Sequence, residues 1–147
     1  MDYAIGAVIL LFPFALLPGI RETWWADSPP ALSVETPVAA TDWLAAHPDL
    51  PAPIWADLAF SSYLVYALPE RPIWIDTRFE VYPPEHWDRY KAISAAAWNW
   101  ETLLAEEGIN LLFLSKQEQA ELILAVAFSK NWHEVYSDEG SIIFTRK

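Results

Sequence analysis

The sequence predicts an α/β domain with three layers. Its sheet is mainly parallel, with central order 2-1-3 and a C-terminal antiparallel hairpin at one edge, and one transmembrane helix precedes it. Three observations carry this expectation. Short apolar runs at 54–56, 72–75 and 109–114 alternate with stretches whose apolar residues recur at helical spacing, the pattern of parallel strands joined by crossover helices. Two β-rich segments close the chain around Asp138-Glu139-Gly140, a hairpin signal. Tyr3 to Ile20 carries no charge at all.

That first segment would span about 27 Å as a helix, close to the ~30 Å of a hydrocarbon core. Asp2 and Arg21 bracket it, and Trp24 and Trp25 follow where an interfacial aromatic belt would sit. It lacks the basic leader and small-residue cleavage site of a signal peptide. Residues 3–20 are therefore expected to be the membrane span, 21–36 a linker around Pro29-Pro30, and 37–147 the globular domain.

Within the domain each element has its own signal. Thr36-Pro37 reads as an N-cap with Pro in the first turn. Ala40, Trp43, Leu44 and His47 share one face, and Pro48 ends that helix. Ile54-Trp55-Ala56 is a strand, and Asp57 caps a helix that Pro69 stops. Pro72 to Ile75 is a second strand ending at Asp76, and a loop through Tyr82 leads to Pro83-Pro84-Glu85. Those residues open a helix with Trp87, Tyr90 and Ile93 at helical spacing. Asn99 caps a short helix closed by Gly108. Ile109 to Leu114 is apolar enough for a strand buried on both faces, and Ser115 with Glu118 forms a capping box for the next helix. Gly140 is available for a positive φ in the closing hairpin.

Composition narrows the function classes. With 147 residues, 54% hydrophobic and 20% charged, the chain can bury a core, and nine Trp need one. A net charge of −11 and the lack of any basic run exclude a groove that tracks nucleic-acid phosphates. No Cys is present, so disulfides and thiolate metal sites are excluded, and the three His lack zinc spacing. No strand-to-helix turn carries a Gly-rich phosphate cradle, so no cofactor is expected.

Asp57, Asp76 and Ser115 each follow an expected parallel strand, where ligands of open α/β sheets bind. Carboxylates there can hold sugar hydroxyls, hold a divalent cation, or act as acid and base; equally, Asp57 and Ser115 can be helix caps. Asp76 and Arg78, two apart, share one side if the strand continues. They read either as a bridge fixing the loop to Tyr82 or as an anion site built on Arg78, with Glu80 and Tyr82 joining in. Trp55 and Trp74 read as core; Trp87, Trp98 and Trp100 are placed to stack on sugar faces.

The run S-S-Y-L from Ser61, then I-D-T-R-F-E-V-Y from Ile75 to Tyr82, resembles the C-terminal extracytoplasmic domain of bacterial polytopic membrane proteins similar to C-type, lipid-phosphate-sugar-dependent glycosyltransferases. Ser61, Ser62 and Thr77 stand where that pattern has glycines. The resemblance implies an extracytoplasmic domain at the cell membrane in an accessory, non-catalytic role. Its partners would be a glycan, a lipid-linked sugar or the membrane helices of a parent protein. The alternatives are a single-anchor interaction or assembly module and, third, a hydrolase or transferase using Asp57 and Asp76.

Overall fold

A computed structural model describes residues 32, 33 and 35–147; those from 35 on belong to one compact unit, Val34–Lys147. Helix α1 (Val38–Ala45) is followed by strand β1 (Ile54–Ala56) and helix α2 (Leu58–Ala67). A 3-10 turn at Phe79–Val81 leads to α3 (Pro84–Ser94) and α4 (Trp100–Glu106). Then come β2 (Leu111–Ser115), α5 (Ala120–Phe128), β3 (Trp132–Ser137) and β4 (Ser141–Arg146).

The sheet has four strands in the order β1-β2-β4-β3. Only β1 and β2 run parallel, with Trp55 opposite Leu112; β2–β4 and β4–β3 are antiparallel. This corrects the expected mainly parallel sheet of order 2-1-3. The run at 72–75 is not a strand but a single bridge, Ile73 to Ile54. Pro72 has no N–H to give a ladder. Past Ile75 the Asp76 carboxylate accepts the Arg78 N–H at 2.8 Å, and this local turn diverts the backbone from the sheet.

The sheet feeds two cores by the alternation of its side chains. Leu112 and Leu114, with Trp55, Ile142 and Phe144, pack among Tyr90, Ile93, Leu104, Leu122 and Val126 of α3, α4 and α5. Leu111 and Phe113, with Ile54, Ala56 and Ile143, pack among Ala40, Leu44, Phe60 and Leu64 of α1 and α2. All five residues of β2 are buried.

Helix ends depart from the expected caps in detail. Asp57 does cap α2, accepting from Ala59 N at 2.7 Å. At α1 the N-cap is Pro37, without a side-chain bond, and Thr41 donates back to the Pro37 carbonyl at 2.7 Å. Ser115 accepts from Glu118 N at 3.2 Å, but this closes a turn before α5, whose own N-cap is Gln119. In the hairpin Asp138 does what Gly140 was expected to do. Its Oδ1 accepts the N–H groups of Gly140 at 3.0 Å and Ser141 at 2.7 Å, while Gly140 stays outside the left-handed region.

The expected membrane span at 3–20 lies outside the described residues. Among the described residues no helix is long and apolar enough to cross a membrane. The longest, α3 with 11 residues, rises only ~16 Å against the ~30 Å required. A single-span cell-membrane protein with an extracytoplasmic domain is therefore not supported, and that expectation is withdrawn.

Among the described residues, two that follow helices carry positive φ: Gly108 at 68° and Ala96 at 47°. A methyl group at Gly108 would meet nothing within 4 Å, so its cost is purely conformational. Gly108→Ala is expected to lose about 1 kcal/mol in denaturant melts, and Ala96→Gly to gain a fraction of that, since each residue change acts on the same left-handed conformation with opposite sign.

Candidate functional site

Two polar networks gather the residues singled out above. The first lies at the carboxyl ends of β1 and β2. Asp57 is only 3% exposed and has no cationic partner among the described residues. Its Oδ1 takes the Ala59 N–H, and its Oδ2 takes the Gln119 side-chain N–H at 2.8 Å. A carboxylate here can only accept, so the Gln119 amide nitrogen must face Asp57 and its oxygen must face away. That oxygen accepts the Ser94 hydroxyl at 2.9 Å.

Tyr90 completes the cluster. Its hydroxyl accepts the Leu58 N–H at 3.3 Å, and its ring stacks on Trp55 at 5.2 Å. Burial, and then the charge of Asp57, push the phenol up to about 12, so it stays protonated. Tyr90 and Ser94 also line an open groove of about 470 Å³ with Lys91, Ala95, Glu118 and Glu121. Ser115, beside this cluster on β2, is buried and turned to its own local bond.

The second network is Asp76–Arg78–Tyr82. Arg78 Nη2 meets Asp76 Oδ2 at 2.6 Å, and Nε lies 3.0 and 3.1 Å from the two carboxylate oxygens. The bonds from Arg78 outweigh burial and hold the Asp76 carboxyl down at about 2. Tyr82 lies within bonding reach of Asp76, and its phenol is raised, first by burial and then by that carboxylate. Asp76 is buried, yet the Arg78 side chain is 62% exposed, so the pair presents an oriented guanidinium to solvent. Nη1 takes no part in the pairing. Glu80 is exposed on the adjoining turn and forms no ion pair among the described residues.

An aromatic chain backs this loop. Phe79 stacks on Trp87 at 4.8 Å, Trp87 meets Tyr82 edge-on at 5.9 Å, and Tyr82 stacks on His86 at 5.1 Å. His86 in turn lies 3.9 Å from the Trp74 ring, and its Nε2 is 3.0 Å from the Trp74 carbonyl. Ser62 and Thr77, at two of the glycine positions of the pattern, share a 2.6 Å hydrogen bond that ties the loop to α2. Of the tryptophans placed for stacking, Trp87 and Trp100 are half-buried and Trp98 is 96% exposed.

No hydrogen bond among the described residues joins the two networks. Asp57 and Asp76 thus belong to separate hydrogen-bonded groups among the described residues. Asp76, held ionised, cannot serve as a general acid near neutrality. Among the described residues no group of three metal-ligating side chains occurs. Sequence reasoning missed Gln119, Ser94 and the Tyr90 hydroxyl: the last read as one apolar helix position, and helical periodicity does not mark which polar residues will meet across helices.

No protein-family model matches the chain, and no curated protein matches it. The class defined by fold and site is thus a mixed four-stranded α/β sandwich with an exposed arginine loop.

Two expectations follow for stability. The Asp76 carboxyl titrates lower when folded, so its contribution is present above about pH 4 and lost as pH falls toward 2; Asp76→Asn should flatten acid unfolding across that window, by about 1 kcal/mol once water around the exposed Arg78 is allowed for. Gln119→Ala should cost about 2 kcal/mol in chemical denaturation, because it leaves a buried oxygen of Asp57 without a donor.

Proposed function

We propose that the domain is a non-catalytic recognition module that holds a partner protein through the loop Thr77–Tyr82. One observation carries the reading. The Arg78 guanidinium is fixed by a buried carboxylate yet exposed, and Phe79 and Val81 beside it are 62% and 57% exposed. An oriented Arg loses little freedom on binding, and aromatic and Arg anchors dominate protein interfaces. The partner's complementary patch would carry a carboxylate beside an apolar contact. The accessory role implied by the resemblance agrees with this, since the motif residues Asp76, Arg78 and Tyr82 build the loop.

An acidic glycan is the second reading. The Phe79 ring, stacked on Trp87, offers a platform for a sugar face next to the cation.

A photo-crosslinking side chain at Val81, in the cells that make the protein, tests the choice. The expected result is one discrete protein adduct that Arg78→Ala reduces about tenfold, the equivalent of ~1.4 kcal/mol, with the fold intact by circular dichroism. Labelling as diffuse as that from a crosslinker at the exposed Glu139 would remove the proposal. Saturable binding of uronate-containing oligosaccharides that depends on Arg78 would favour the second reading.

A further inference from the structure

The Thr77–Tyr82 loop is complementary to itself. Over three consecutive residues it carries a cation, an apolar ring and an anion: Arg78, Phe79 and Glu80. All three are exposed. They also belong to one turn. Phe79–Val81 is a 3-10 helix with Arg78 as its N-cap, and the Val81 N–H donates to the Arg78 carbonyl at 3.1 Å. At three residues per revolution, Arg78 and Glu80 leave the backbone on either side of Phe79.

The turn is held in place from below. Asp76 fixes the Arg78 guanidinium through Nε and Nη2, which leaves Nη1 for another acceptor. Phe79 stacks on Trp87, with 18° between the ring planes. The Phe79 N–H donates to the Thr77 carbonyl at 3.0 Å, and the Thr77 hydroxyl is bonded to Ser62 of α2. Glu80 forms no ion pair among the described residues. The loop therefore offers one preformed cation and one unmatched carboxylate, with an aromatic ring between them.

A two-fold axis through Phe79 satisfies both charges. It sets ring against ring and brings Arg78 of each copy to Glu80 of the other. A two-fold interface uses the same patch on both subunits, so a patch must carry both signs about an apolar centre to complement itself in this way. The net charge of −11 opposes association of two copies at long range. At physiological salt that repulsion is screened beyond about 8 Å, whereas charges in contact keep their attraction.

We infer that this loop is a self-association surface, in which the carboxylate that meets Arg78 is Glu80 of a second copy of the chain. The inference rests on the reading of the loop as a protein-binding surface and names its occupant. Four exposed side chains, from Arg78 to Val81, fall short of the roughly 20–30 residues a side of a standard interface. The dimer is accordingly weak, with a dissociation constant on the order of 100 μM.

Sedimentation equilibrium of the full chain at physiological salt is the test, over concentrations on the order of 10 μM to 1 mM. A reversible monomer–dimer equilibrium is expected. Glu80→Lys sets cation against cation at both contacts and should weaken the dimer at least tenfold, with the thermal midpoint unchanged. Its sign is diagnostic, because the same variant moves the net charge of −11 toward zero, which by itself favours association. Glu139→Lys makes the same change of charge on the exposed hairpin and should not weaken the dimer. Phe79→Ser should weaken it in the same direction as Glu80→Lys. The Val81 crosslinker on the purified chain should yield an adduct of twice the chain's mass. No dimer over this range, a dimer that Glu80→Lys or Phe79→Ser leaves unchanged, or equal weakening by Glu139→Lys would overturn the inference. If the purified chain stays monomeric while the crosslinker in cells still captures one different protein, self-association is overturned and the loop remains a binding surface. Absence of any discrete adduct, in cells and in solution, removes both readings.

Discussion

Strand β2 is the constraint on which the domain is built. Leu111 to Ser115 is buried residue by residue, and its alternating side chains enter opposite cores. Each fully buried Leu or Phe contributes about 1.5–3 kcal/mol relative to exposure. Neither face can then be left to water, so helices must cover both. β1 joins it on one edge and β4 on the other, with Phe113 opposite Ala56 and Ile143. A slip of one residue would exchange the two faces, so the register is strongly specified.

Around that strand, polar groups with fixed partners hold the connecting loops. The Arg71 guanidinium donates to the carbonyls of Leu44, His47, Leu50 and Pro51, clamping the passage from α1 to β1. Glu101 Oε1 accepts from Ser129, Asn131 and the Trp132 indole, joining α4 to the end of α5 and the start of β3. Asp57 and Asp76 work in the same way, with their oxygens taken up by neighbouring donors. One buried donor departs from this pattern: the Trp55 indole N–H has no partner among the described residues. Carboxylates so engaged rigidify a scaffold.

The scaffold also fixes the exposed arginine loop. Phe79, Trp87 and Tyr90 make a chain of ring contacts, at 4.8 and 6.3 Å, from the arginine loop to the cluster at the strand ends. The loop is thus seated on core residues although its own tip is exposed. Rigid presentation lowers the ordering cost of binding, which favours recognition through a small number of anchors.

Sequence alone determined which segments form most elements, because apolar spacing and Pro or Asp punctuation act within a few residues. Ile54–Ala56, the buried run at 109–114 and the Asp57 cap are of this kind, as is Gly108 after α4. It also placed Asp76, Arg78 and Tyr82 close together, since they are near neighbours in the chain. Only the tertiary structure decided that 72–75 makes one bridge instead of a strand, and which edge the closing hairpin joins, with β4 beside β2. Strand partnership depends on which edges the two cores leave open, and no local pattern encodes it. The bond from Gln119 to Asp57 spans 62 positions. A pairing at that distance exists only once the chain has folded, because nothing in either residue's neighbourhood selects the other.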